Sequence, residues 1–162
     1  VAAQRDGVSL AGAVTHPPSG RVWSAAAGLG ADCDGQPVGV TAETALEQSL
    51  IGTGFAYRAE RRARQAALVA GVLPRVRDVR RAGSAALDLC SVASGWLDGY
   101  VEHGLARWDW AAGALIAAEA GAVVRLPGAA EDGLGDDVVL AAAPGIATAL
   151  AGLLREHDSA LV

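Results

Sequence analysis

Apolar positions along the chain change their period near residue 41. Before it they recur every second residue, as at Val8, Leu10 and Val14, and are interrupted by Asp6-Gly7, His16-Pro17-Pro18-Ser19-Gly20, Gly28-Leu29-Gly30 and Asp34-Gly35. Period 2 between turn clusters is the pattern of antiparallel strands. Residues 1–5, 8–14 and 21–27 therefore read as strands of a meander. After residue 41, helical and strand patterns alternate. Residues 60–73 predict a helix with Ala66, Ala67, Val69, Ala70 and Leu73 packed inward and Pro74 stopping it. Residues 84–94 predict a second helix, with Ser84 at its start and Gly95 beyond its end. Residues 96–102 alternate as a strand, Leu97 and Val101 on one face, Trp96, Asp98, Tyr100 and Glu102 on the other. An Ala-rich helix is expected over 109–120, closed by Gly121, and a last helix over 144–155, with Pro144 at its first position. Short strands are expected at Leu50-Ile51, 76–80, 122–126 and 138–142, and the Gly/Asp-rich stretch 127–137 reads as a surface loop.

Strands alternating with helices of 10–15 residues indicate a layered α/β sheet. The change near residues 38–41 divides the chain into 1–40, the last antiparallel strands of an incomplete N-terminal α+β domain, and 41–162, a C-terminal α/β domain. The chain starts at Val1 and contains no Met, so it reads as a piece of a longer protein or a cleaved product.

Composition narrows the chemistry. Apolar residues make up 52% of the 162 and charged ones 19%, which argues against disorder. No uninterrupted apolar run reaches the 18 or so residues a membrane helix needs, and no basic-then-apolar leader is visible. A net charge of −5 is a poor footprint for nucleic acid. All 13 basic residues are Arg, which removes Schiff-base and Walker A lysines. Cys33 and Cys90 have no metal-ligand spacing and read as reduced thiols. Gly28-Leu29-Gly30 and Gly52-Thr53-Gly54 do not complete a dinucleotide fingerprint. Arg58, Arg61, Arg62 and Arg64 read as a solvated helix face, and His16, His103 and His157 lack metal spacing.

The stretch 78–121 holds the candidate site. Asp109 stands at the start of the Ala-rich helix, where it suits an N-cap, a metal ligand or both, since a carboxylate has about four acceptor positions. The flanking Trp108 and Trp110 read as core packing. Gly83-Ser84 opens the preceding helix; Ser84 suits a cap, and free N–H groups there favour phosphate or hydroxyl oxygens. Glu102 ends its strand where α/β folds hold ligands, although a solvated edge carboxylate would look the same.

Four blocks in order, GSAALDL at 83–89, LDGYVEHG at 97–104, WDWAAG at 108–113 and EAG at 119–121, resemble the inositol monophosphatase family. The QRDG, AGAV and GTGF segments upstream are similar too. The resemblance implies an α-β-α sandwich with a mixed sheet of the sugar-phosphatase type and a cytoplasmic Mg²⁺-dependent phosphomonoesterase. Its partners would be a small phosphorylated polyol and, at the level of the family, a second copy of the chain, but neither nucleic acid nor membrane. Residue by residue, it implies that Asp109 is catalytic, coordinating Mg²⁺ and contacting the substrate hydroxyl. Glu102 would bind the sugar or inositol ring, Gly83, Ser84 and Ala85 would form the turn that touches substrate, and Arg80 would order that turn. The family's other metal ligands lie in an E-E block and a D-P-[IL]-D-G-T block, and neither occurs here. This chain would supply the substrate-binding half and one metal ligand. Histidinol-phosphate phosphatase, fructose-bisphosphatase and a noncatalytic ligand-binding module of the same fold are the alternatives. Because Mg²⁺ demands about six oxygen ligands, the isolated chain is expected to bind Mg²⁺ weakly and to release no phosphate from inositol monophosphate. A malachite-green assay checks this, and brisk Mg²⁺-dependent turnover by the chain alone would contradict it.

Overall fold

The computed structural model describes residues 1–128 and 132–162. The first five strands are β1 (Ala2–Arg5), β2 (Val8–His16), β3 (Arg21–Ala26), β4 (Ala31–Cys33) and β5 (Gln36–Pro37). They form one antiparallel sheet in sequence order, the meander that the period-2 pattern predicts. The second sheet contains β6 (Leu50–Thr53), β7 (Asp78–Arg80), β8 (Gly99–His103), β9 (Val123–Arg125) and β10 (Val138–Ala142). Its order is β7-β6-β8-β10-β9. β6 runs parallel to β7 and β8, whereas β10 runs antiparallel to β8 and β9, so the sheet is mixed. Four helices accompany it: α1 (Ala59–Val72), α2 (Ala85–Ala93), α3 (Arg107–Glu119) and α4 (Pro144–Glu156). The predicted loop 127–137 joins β9 to β10; its residues 129–131 lie outside the described residues.

Three apolar clusters stack these elements in layers. Val14, Trp23, Ala25 and Ala31 of the first sheet bury themselves against Cys90, Ala93, Ala112 and Ile116 of α2 and α3. The other side of α2 and α3 packs on Tyr100, Val139 and Ala141 of the second sheet. Beyond that sheet, Leu68 and Val72 of α1 and Ile146, Leu150 and Leu154 of α4 cover Ile51, Val101, Val138 and Leu140. The helix pair α2 and α3 is thus sandwiched between two sheets, which is why its residues are small and apolar nearly all round.

Two expectations are corrected. On α1 the inward residues are Gln65, Leu68 and Val72, while Ala66, Ala67, Ala70 and Leu73 are exposed. The register is fixed by Leu68 and Val72, an i, i+4 pair, and by Gln65, whose Oε1 accepts the Ala56 N–H at 2.8 Å. Strand β8 starts at Gly99 rather than at 96. Trp96 and Leu97 instead donate their N–H groups to the Ser91 carbonyl at the end of α2. Asp98 is held by Thr41 Oγ1 at 2.6 Å and by the Leu50 N–H at 2.7 Å. Leu97 consequently packs with Tyr100 on the α2–α3 side, and Val101 lies on the opposite side.

A close contact between α2 and α3 sits at Gly113 of α3. A Cβ there would stand 2.9 Å from Leu89 Cβ and 3.1 Å from the Ala86 carbonyl oxygen, both on α2. On its first-sheet side, α3 is nearly as tight: a Cβ at Gly12 would lie 3.0 Å from Ala112 Cα. For Gly113→Ala, the gain in helix propensity of about 1 kcal/mol opposes an overpacking cost of about 1–3 kcal/mol. The backbone carbonyl cannot step aside, so the variant is expected to lose about 1–2 kcal/mol net. A urea midpoint equal to or above wild type would show that the helices can separate freely.

Candidate active site

The strand ends and helix starts that meet at one edge of the second sheet are set by its topology. Parallel strands β6 and β8 both end there, and α2 and α3 both begin there. That is where open α/β sheets leave a crevice. A cavity of about 530 Å³ occupies it, and Gly83, Ser84, Ala85, Glu102 and Asp109 all line it.

Ser84 is the N-cap of α2, as its position predicts; its Oγ faces the Leu87 N–H at 3.5 Å. Gly83 before it has φ +94°, a left-handed conformation that side chains disfavour. Asp109 is not the N-cap of α3. Ala106 holds that place, and Asp109 lies three residues on, its Oδ2 accepting the Ala106 N–H at 2.9 Å. This is the carboxylate half of a capping box, which anchors one oxygen while the residue stays half-buried at the cavity. Of the two tryptophans, only Trp110 is buried; Trp108 is 85% exposed at the cavity rim.

Glu102 is half-buried at the end of β8, and its Oε2 accepts the Tyr100 hydroxyl at 2.5 Å. Burial pushes its carboxyl above the usual range and Asp109 adds to this, while the Tyr100 hydrogen bond and Arg81 pull it down. Tyr100 is fully buried on the face that the sequence pattern assigned beside Trp96 and Asp98. Burial and the nearby Glu102 charge push its hydroxyl far above its usual range, so it donates at every working pH.

Several residues at or beneath the site carry no clear sequence signal. Asp88 of α2 is 2% exposed, and its Oδ2 has no hydrogen-bond partner among the described residues. Burial first and the Glu102 charge second push it up to about 6. Only its place on the buried stripe of α2 could have drawn notice. Arg81, not Arg80, lines the cavity. Arg80 is tied to Asp78 and to the Val79 carbonyl on β7. Arg58 and Arg61 line the same cavity, so part of the cluster read as a solvated face belongs to the site. Arg61 also pairs with Asp137 at 2.6 Å. His103 is buried on the opposite side of β8, its Nε2 3.0 Å from Ser159 Oγ and 3.1 Å from the Leu134 carbonyl. Alternation along the strand turns its ring away from Glu102, although His103 is also among the residues that line the cavity. Glu119 of the EAG block is structural: its two carboxylate oxygens accept the Gly28 and Gly30 N–H groups, each at 2.9 Å.

A profile of the inositol monophosphatase family matches residues 1–159. The chain belongs to this family. The inositol-1-monophosphatase of Mycobacterium leprae is 58% identical over 98% of this chain and 56% of its own length. The inositol-1-monophosphatase SuhB of Mycobacterium tuberculosis is 54% identical over the same shares. The solved structure of Mycobacterium tuberculosis SuhB superposes with a TM-score of 0.88 at 50% identity, covering 98% of this chain and 63% of that one. The chain thus spans about half the length of the curated relatives it matches. Among the described residues, no group of three or more His, Cys, Asp or Glu stands close enough together to hold a metal ion. No helix among the described residues is long and apolar enough to cross a membrane.

Asp88 gives a pH prediction with a definite sign. Its folded value of about 6 lies above the usual 3.8, so the folded chain holds this proton more tightly. Stability should therefore fall as pH rises from 3.8 through 6, and the cost should be complete above that window. Asp88→Asn is expected to remove it, raising stability by about 1–3 kcal/mol at pH 8 and little at pH 4. Thermal melts of both proteins at the two pH values check this; an equal effect at both would refute the buried-charge account.

Proposed function

We propose that the protein containing this chain is a Mg²⁺-dependent phosphomonoesterase acting on inositol monophosphate or a similar small polyol phosphate. In this reading Asp109 is the catalytic metal ligand, and Glu102 with the Gly83-Ser84-Ala85 turn binds substrate. The observation that carries it is the convergence of these five residues on one cavity. Relatives named as inositol-1-monophosphatases, at 54–58% identity, support the same class of reaction.

The cavity's own residues suit such a substrate. Two helix starts present N–H groups and positive dipole ends, and Arg58, Arg61 and Arg81 add positive charge. Both features favour a phosphate dianion in a chain that is acidic overall. Glu102 accepts hydrogen bonds from ring hydroxyls, and the anchored Asp109 offers its second oxygen to a cation or hydroxyl.

Asp109 fits Mg²⁺ in kind, as a hard carboxylate oxygen, but one ligand does not make the site in number. The other protein ligands would come from the portion of the relatives that this chain does not span. When bound, the ion supplies charge neutralisation on the phosphate and a water of lowered pKa. Residues 41–162 are read as the C-terminal α/β domain, residues 1–40 as terminal strands of an N-terminal one. A cytoplasmic homodimer belongs to the same proposal.

The N-terminal portion of the Mycobacterium leprae relative, joined to this chain, should release phosphate from inositol 1-phosphate when Mg²⁺ is present. Asp109→Asn in that fusion should lower kcat by about 100-fold or more, since even outer-shell changes at metal sites cost about 10–100-fold. Unchanged turnover in the variant would remove Asp109 from the reaction. An inactive but folded fusion would favour the noncatalytic module.

A further inference from the structure

Gly52-Thr53-Gly54, too short for a nucleotide-binding loop, has a different use. In the parallel pairing of β6 with β8, Gly52 stands opposite Tyr100, and Gly54, one step beyond the strand, follows toward Glu102. All four residues face the α2–α3 layer, because side chains two apart on a strand share a face. A Cβ at Gly54 would fall 2.0–2.4 Å from the Glu102 carboxylate atoms, and one at Gly52 would fall 2.8 Å from Leu97 Cδ1 and 3.2 Å from Tyr100 Cδ2. The carboxylate and the phenol ring therefore occupy the space the two missing side chains leave.

Tyr100 itself has no freedom to follow another partner. It is fully buried among Leu89, Val92, Leu97 and Val139. Its hydroxyl spends its one proton on Glu102 Oε2, at 2.5 Å. The carboxylate is thus gripped on one oxygen by Tyr100 and flanked by the bare backbone of Gly54. The other oxygen, Oε1, accepts no hydrogen bond among the described residues, and Glu102 lines the cavity.

We propose that Tyr100 is a positioning residue: with Gly54 it locks the Glu102 carboxylate so that Oε1 alone faces a polyol hydroxyl. This rests on the reading of Glu102 as a substrate-binding residue, and it adds a source of selectivity. A carboxylate held in one rotamer rewards a hydroxyl donor at one place and offers nothing to a ligand without it.

The test compares two phosphate esters in the full-length protein, inositol 1-phosphate and p-nitrophenyl phosphate, the second having no hydroxyl to offer. Tyr100→Phe should lower kcat/KM for inositol 1-phosphate by about tenfold, the size of one lost hydrogen bond, mostly through KM. It should change p-nitrophenyl phosphate hydrolysis by less than about twofold. Equal losses on both esters, or no loss on either, would overturn the proposal, because a general packing defect does not choose between them. A crystal structure of the Tyr100→Phe chain supplies a readout without catalysis: Glu102 should leave the rotamer that reaches residue 100, and an unmoved carboxylate would also overturn the proposal. Gly54→Ala, which displaces the carboxylate by a clash and leaves the Tyr100 hydroxyl in the chain, should reproduce the selective loss. If the wild-type protein hydrolyses neither ester, the phosphatase reading falls, and the crystallographic comparison alone decides the role of Tyr100.

Discussion

The contact between α2 and α3 at Gly113 is the constraint from which the rest of the structure follows. These helices form a single layer that must satisfy a sheet on each side, so small residues set their spacing while Trp110 and Ile116 fill the gaps toward the two sheets. Gly113 lets α3 approach Leu89 and Ala86 closely, and Gly12 opposite Ala112 lets the first sheet close over the other side. Once the layer is seated, both helix starts come to the edge where β6 and β8 end. The cavity is thus a product of packing, and Ser84 and Asp109 are aimed by the same contacts that bury Leu89 and Ile116.

The WDWAAG block shows how one short segment serves both ends. Asp109 faces the cavity, Trp108 stands at its rim, Trp110 and Ala111 pack toward the second sheet, and Ala112 and Gly113 set the helix spacing. Such density explains why a family can be identified from so few residues. It also explains why part of a conspicuous motif is structural, as Glu119 is in its grip on the turn at Gly28 and Gly30.

The meander, the alternation of strands and helices, and the shared cavity of Glu102, Asp109 and the Gly83–Ala85 turn were legible before any coordinates. Strong local signals carried the elements, through turn residues, a capping serine and helix-closing glycines, whereas the grouping of the site residues came from the resemblance of their blocks to the family. The failures have a common cause in weak or two-sided signals. On α1, alanines outnumber large apolar residues, and alanine marks no face, so the inward side was set by Leu68, Val72 and a buried Gln65. Along β8 a simple alternation put Tyr100 beside Asp98 and Glu102, but both faces of the strand are covered, which hid the burial of Tyr100. The glycines at 52 and 54 were legible as glycines only; what they make room for lies about 48 residues away on a neighbouring strand. Arg81 was passed over for Arg80, and only the direction of each side chain separates two adjacent arginines.

One further consequence concerns α3 as a strut. Its 13 residues span about 20 Å at 1.5 Å per residue. Its far end is moored to the first sheet through Glu119, and its near end carries Asp109. A rod fixed at one end turns a slight angular play there into a larger excursion at its tip. The mooring at the Gly28–Gly30 turn, remote from any chemistry, therefore helps to govern how steadily the carboxylate at 109 keeps its aim.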